Sequence, residues 1–183
     1  MSTLTTANQL TLFRLLLIPA LITLVVYKFN GWAFITFTVA GITDGLDGLI
    51  ARRADQRTSL GAWLDPMADK LLLVSTFVVL TWPLGLANQL PIWLTALIIT
   101  RDVVIVLTVA VINFAIERRV FYPSMPGKVA TLIYILTCAV ALYFNYLDRQ
   151  SVFVSIAIYA SLGVTLVSGL HYVVHVARLV NEG

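Results

Sequence analysis

Apolar residues occupy this chain in long, nearly unbroken stretches, and polar residues collect between them. Six such stretches run from Leu10–Tyr27, Trp32–Leu49, Leu71–Leu86, Ile92–Phe114, Val129–Leu147 and Val152–Val176. Each approaches the roughly 20 residues with which a helix crosses a bilayer. The longest polar connections are Ala51–Lys70 and Ile116–Lys128, and no internal repeat, low-complexity tract or soluble insertion breaks the series. The pattern predicts an all-α integral membrane protein with six transmembrane helices, folded as a single domain over residues 1–183. An even number of spans places both termini on one side.

Composition strengthens that expectation. Of 183 residues, 60% are hydrophobic and only 11% are charged. A soluble domain carries about a quarter charged residues. A chain this apolar has too much surface for one aqueous core, so a soluble enzyme, a disordered segment and a secreted disulfide scaffold are excluded. The single cysteine, Cys138, cannot form an intrachain disulfide and reads as core filler. Met1–Gln9 shows neither a basic n-region nor a small-residue cleavage site, so the first apolar run is expected to be a retained helix.

Charge then selects the orientation. With a cytoplasmic N-terminus, the inner flanks hold Arg14, Arg52, Arg53, Arg57, Lys70, Arg118, Arg119, Lys128 and Arg178, and the outer flanks hold Lys28 and Arg149. Nine bases against two, with Arg101 inside a span completing the twelve, is a strong positive-inside bias. Both termini are therefore expected in the cytoplasm. The same bias accounts for the pI near 9.2 without a nucleic-acid partner, because the bases form no patch.

The acids are distributed less evenly. Four of the nine, Asp44, Asp47, Asp65 and Asp69, lie at the inner ends of the second and third spans. Asp44 and Asp47 are i,i+3, and Asp65 and Asp69 are i,i+4, so each pair shares a helix face. A polar turn between the helices would let all four converge. Asp44 and Asp47 are also expected to feel the negative end of their own helix dipole. Pro66 is expected in an early helical turn, where it does not disturb the second pair. Unpaired carboxylates at membrane depth are costly and mark functional sites. Oxygen-only ligands with no His or Cys nearby favour Mg²⁺ or Mn²⁺, and four carboxylates suit two such ions in charge. The competing explanation, pairing with Arg52, Arg53, Arg57 and Lys70 in a solvated loop, is accepted only for Asp55.

The segment Asp44-Gly45-Leu46-Asp47-Gly48-Leu49-Ile50-Ala51-Arg52, then eight residues, then Gly61-Ala62-Trp63-Leu64-Asp65-Pro66-Met67-Ala68-Asp69, resembles the CDP-alcohol phosphatidyltransferase signature. Every fixed residue and the spacer match. The resemblance implies a membrane domain that transfers a phosphatidyl group from CDP-diacylglycerol to an alcohol and releases CMP. It implies metal ligation by Asp44, Asp47, Asp65 and Asp69, with Asp69 also the general base for the acceptor hydroxyl. It implies a cytidine pocket lined by Gly48, Ala51 and Gly61, and pyrophosphate binding by Arg52. It also implies a homodimer.

Further polar residues on the inner side each allow two explanations. Asn8, Thr11 and Arg14 form a stripe entering the first helix. It is either an interfacial cap with Arg14 snorkelling to the headgroups, or a nucleotide or phosphate contact, as in similar Asn-x-x-Thr-x-x-Arg starts of related synthases. Arg101-Asp102 lies within the fourth span, as a packing ion pair or as a cation for an anionic substrate. Lys128 belongs to Pro123-Ser124-Met125-Pro126-Gly127-Lys128-Val129-Ala130-Thr131, similar to a family element before the fifth helix. It is a phosphate ligand or a positive-inside anchor. His171 and His175, i,i+4 with no third ligand in view, are assigned to the interface and not to a metal.

The acceptor is less sharply marked. Relatives that use glycerol 3-phosphate carry Arg-Glu in the fourth helix and a second Arg two turns on, whereas here Arg101 precedes Asp102 and Val109 takes the later place. Ile99-Thr100-Arg101-Asp102-Val103 is closer to the Ser-Arg-Asp-Val of eukaryotic-type cardiolipin synthases. Phosphatidylglycerol is the expected acceptor, with glycerol 3-phosphate (a phosphatidylglycerophosphate synthase) as the alternative. The expected address is the cell inner (plasma) membrane, multi-pass, with the active site facing the cytoplasm. A divalent-cation transporter is the alternative from another class, and the charge-free stretches Trp32–Ala40 and Leu72–Leu80 weigh against it.

Overall fold

A computed structural model describes the backbone of residues 6–54, 59–115 and 125–181, and the side chains of 12–43, 67–108 and 125–174. Six helices and no strands occur among the described residues: α1 (Thr6–Val26), α2 (Asn30–Ala54), α3 (Ser59–Thr81), α4 (Ile92–Ala115), α5 (Met125–Tyr146) and α6 (Val152–Asn181). All-helical architecture follows the apolar pattern, but several boundaries do not.

The polar stretch Ala51–Lys70 is mostly helix, because α2 continues to Ala54 and α3 begins at Ser59. Ala, Leu and Arg are good helix formers, so the helices run on past the end of the apolar run. Two expectations change with this. The last turn of α2 lies beyond Asp44 and Asp47, so its dipole, which acts within about a turn, is not what bears on them. Pro66 stands in the interior of α3 and not in its first turn. It has no N–H, so the Ala62 carbonyl lacks its usual i→i+4 donor. At the other end, α3 stops at Thr81 instead of Leu86, because Pro83 disfavours helical geometry at Trp82.

α1 packs against both α2 and α3, α5 packs against α2, α3 and α6, and α4 packs against α3 and α6. The core is apolar around Leu21, Phe37, Leu72, Phe77, Leu80, Leu94 and Tyr134. The Phe77 and Tyr134 rings meet edge to face, with centroids 5.9 Å apart. α6 is arranged inside out relative to a soluble helix. Ser161, Thr165 and Ser168 are buried, whereas Phe153, Ile156, Tyr159, Leu170 and Val173 are exposed. Hydroxyls inside and large apolar side chains outside suit hydrocarbon, not water. Met125–Tyr146 and Val152–Val174 are long and apolar enough to cross a membrane, and Leu12–Val26 is a shorter apolar helix.

Two hairpin turns share one geometry at the end of the bundle remote from the acidic segment. α1 closes with Lys28 at φ 60° and the Phe29 N–H on the Leu24 carbonyl at 2.8 Å. α5 closes with Asp148 at φ 49° and the Arg149 N–H on the Phe144 carbonyl at 3.2 Å. Both are left-handed helix caps of the Schellman type. Gly31 at the start of α2 lies against Tyr146, whose ring a Cβ would meet at 2.9 Å, so a larger residue there would require the exposed Tyr146 ring to shift.

Asn145 ties this end together. Its Oδ1 accepts from the Asn88 N–H at 2.7 Å, and its Nδ2 donates to the Asn88 carbonyl at 3.1 Å. Asn88 in turn donates to the Arg149 carbonyl at 2.7 Å and accepts from the Ser151 N–H at 3.0 Å. Asn145→Ala strips both partners from a buried backbone unit and is expected to cost about 3 kcal/mol. A lowered melting midpoint in detergent is the readout, and an unchanged midpoint would refute the role.

Candidate active site

Where α1, α2, α3, α4 and α5 meet, the packing leaves a cavity of about 120 Å³. Charged residues from three helices line it: Arg14 from α1, Asp69 and Lys70 from α3, and Arg101 and Asp102 from α4. Phe37, Leu72, Leu73 and Ile135 supply apolar wall, and Thr131 and Tyr134 of α5 complete it.

Arg14 does not snorkel to the headgroups. It is 1% exposed and is the largest fully buried side chain among the described residues. It donates from Nη1 to Oδ1 of Asp69, whose side chain is 39% exposed. The snorkelling explanation is thereby overturned for Arg14. A guanidinium this deep is tolerated because a carboxylate on the neighbouring helix partners it.

Asp102 bridges two cations. Its Oδ1 accepts from Arg101 Nη1 at 2.6 Å, and its Oδ2 lies 3.4 Å from Lys70 Nζ. The pair inside α4 is thus a three-member cluster that links α4 to α3. Arg101 Nε donates to Ser168 Oγ of α6 at 3.1 Å. Of the described charged residues lining the cavity, three are cationic and two anionic, a net of one positive charge among them.

Several sequence-predicted residues lie beyond what the structure describes at side-chain level. Asn8 and Thr11 are on α1, Asp44, Asp47, Gly48, Ala51 and Arg52 on α2, and Gly61 and Asp65 on α3. Their side chains are outside the described residues, and so is Asp55 altogether. Their helical positions remain informative. Asp47 is seven residues before the end of α2 and Asp65 is six after the start of α3, about 10 Å along each helix. Asp44 and Asp69 are each ten residues from those ends, about 15 Å along. The two helices thus carry these residues at matched distances along the backbone from the connection. All four are aspartates, and oxygen donors suit hard divalent cations. No group of three metal-ligating residues occurs among the described residues, where Asp69 is the sole member of the set.

Lys128 is exposed in the first turns of α5, one turn before Thr131 of the cavity wall. His171 is exposed on α6. Sequence reasoning did not single out Lys70, Tyr134 or Ser168 as site residues. For Ser168 a signal existed: Ser161, Thr165 and Ser168 recur at helical spacing on one face of an otherwise apolar helix.

The family model for CDP-alcohol phosphatidyltransferases matches residues 4–168. The chain is 34% identical to a cardiolipin synthase (CMP-forming) of Streptomyces coelicolor, covering 97% of this chain and 85% of that protein. It is also 34% identical to a probable phosphatidylglycerophosphate synthase of Mycobacterium tuberculosis, over 94% of this chain and 81% of the relative. The similarity to the cardiolipin synthase (CMP-forming) of Homo sapiens is 34%, over 79% of this chain and 53% of the human protein.

Proposed function

The chain belongs to the CDP-alcohol phosphatidyltransferase family, and is a membrane enzyme of that class; we propose that it transfers the phosphatidyl group of CDP-diacylglycerol to phosphatidylglycerol, forming cardiolipin and releasing CMP. Family membership selects this enzyme over the transporter. The observation that carries the acceptor is the cavity, whose described residues leave one net positive charge beside Phe37, Leu72, Leu73 and Ile135. A monoanionic phosphodiester with a neutral glycerol head matches that balance. A dianionic phosphate monoester calls for more cations than the cavity's carboxylates leave over.

Asp44, Asp47, Asp65 and Asp69 would hold one or two Mg²⁺ or Mn²⁺ ions, whose charge offsets that of the pyrophosphate and of departing CMP. Arg14 orients the Asp69 carboxylate. Asp69 takes the proton of the acceptor hydroxyl as its oxygen attacks the phosphatidyl phosphorus. The bond from that phosphorus to the CMP oxygen breaks, and CMP leaves with the electron pair. Arg101 and Lys70 hold the acceptor phosphate, and Lys128 attracts it from the headgroup region. Arg52, Asn8 and Thr11 contact the nucleotide pyrophosphate, and Gly48, Ala51 and Gly61 admit the cytidine. All six helices span the inner membrane of the cell, both termini and the site face the cytoplasm, and the enzyme works as a homodimer.

Glycerol 3-phosphate is the second candidate acceptor, favoured by the similarity to the probable phosphatidylglycerophosphate synthase. The purified enzyme, supplied with CDP-diacylglycerol and Mn²⁺, is expected to release CMP with phosphatidylglycerol. Product with glycerol 3-phosphate alone would overturn the assignment. Chelation by EDTA is expected to stop CMP release, and added Mg²⁺ or Mn²⁺ to restore it. Activity that persists after exhaustive chelation would remove the metal from the mechanism.

A further inference from the structure

Among the described residues α6 contributes none to the cavity wall, yet it carries a buried file of hydroxyls that reaches two residues that do. Ser161, Thr165 and Ser168 are 0%, 1% and 1% exposed. The hydroxyl of Ser161 lies 2.8 Å from that of Thr137 on α5, and the hydroxyl of Thr165 lies 2.6 Å from Tyr134 Oη. Ser168 Oγ receives Arg101 Nε–H.

The direction of these bonds is set by the α6 backbone. Thr165 Oγ1 donates to the Ser161 carbonyl at 2.5 Å, and Ser168 Oγ donates to the Thr165 carbonyl at 3.2 Å. With its one proton turned back into the helix, each hydroxyl offers only lone pairs to its neighbour. Tyr134 is therefore the donor to Thr165. Arg101, which has donors and no acceptor, finds in Ser168 a hydroxyl already turned to receive it.

We propose that Ser168 is a positioning residue for the acceptor alcohol: it fixes the guanidinium plane of Arg101 toward the cavity while Asp102 fixes its other edge. Arg101 cannot reach a defined orientation from Asp102 alone, because that carboxylate is its neighbour in sequence and also serves Lys70. Two bonds from different helices to one planar group remove its rotational freedom, and the rest of the fork faces a ligand in the cavity. The inference rests on the cavity holding the acceptor phosphate, so the experiment separates the two.

KM for phosphatidylglycerol and KM for CDP-diacylglycerol are measured in mixed micelles, together with the melting midpoint in detergent. Ser168→Ala is expected to raise the acceptor KM by about tenfold, the scale of one hydrogen bond to a charged group, and to leave the CDP-diacylglycerol KM and the midpoint unchanged. In an Arg101→Lys background, which lacks Nε–H, Ser168→Ala is expected to add nothing further. An unchanged acceptor KM in Ser168→Ala, a parallel rise in both KM values with a lowered midpoint, or additive effects in the double variant would each overturn the positioning role. If Arg101→Lys itself leaves the acceptor KM unaltered while phosphatidylglycerol is still turned over, Arg101 does not hold the acceptor phosphate and the inference alone falls; no turnover of phosphatidylglycerol by the unaltered enzyme would overturn the functional assignment.

Discussion

Asp69→Asn is expected to reduce CMP release from CDP-diacylglycerol by about three orders of magnitude, the range lost when a general base is removed. The substitution is close to isosteric and keeps an oxygen that can accept from Arg14, so the helix contact survives and the melting midpoint should change little. What disappears is the negative charge that takes the acceptor proton and binds cation. Asp65→Asn is expected to fall to a similar level, because it lies four residues before Asp69 on the same face of α3. Asp55→Asn, outside the four-carboxylate set, should retain most of its activity. CMP release by the three purified variants under one Mn²⁺ concentration decides the matter. Equal activity in all three would refute the site.

Truncating Arg14 is expected to combine a stability loss with an activity loss. Arg14→Ala removes the largest fully buried side chain and leaves a void beside the Asp69 carboxylate. Breaking a fully buried ion pair costs about 3 to 5 kcal/mol. Asp69 keeps part of its solvation, so a value at about the lower end of that range is expected. Activity should fall by about a hundredfold, within the range seen when catalytic groups are misplaced. Arg14→Lys restores a charge but not a planar fork, so it should recover the melting midpoint more fully than the turnover. Full turnover in a folded Arg14→Ala enzyme would show that Asp69 needs no partner on α1.

The helical architecture was legible in the apolar stretches because each element is long and largely apolar over much of its length. The ends were less so, for a local reason. Hydropathy counts apolar residues, whereas a helix continues for as long as the backbone allows, so α2 and α3 extend through Arg52 and Asp65 where the apolar signal has already stopped. At Trp82 the reverse holds, since the residues are apolar but the following proline forbids the helix. Arg14 shows the limit of reading one helix alone. Near the end of an apolar run it has the pattern of a snorkelling residue, and the carboxylate that retains it lies 55 positions away.

The sequence by itself determined the family, the helical class and the identity of the acidic motif, because composition, i,i+3 and i,i+4 spacing and a fixed spacer are all local properties. Tertiary structure alone decided how the cations are used. Which helix faces which is set by packing across the bundle, and it brings Arg14 to Asp69, Lys70 to Asp102 and Ser168 to Arg101. A charge count can state that bases flank an acidic site, but the free charge left to a substrate depends on which of them are already paired. That depends on distances between residues far apart in the chain.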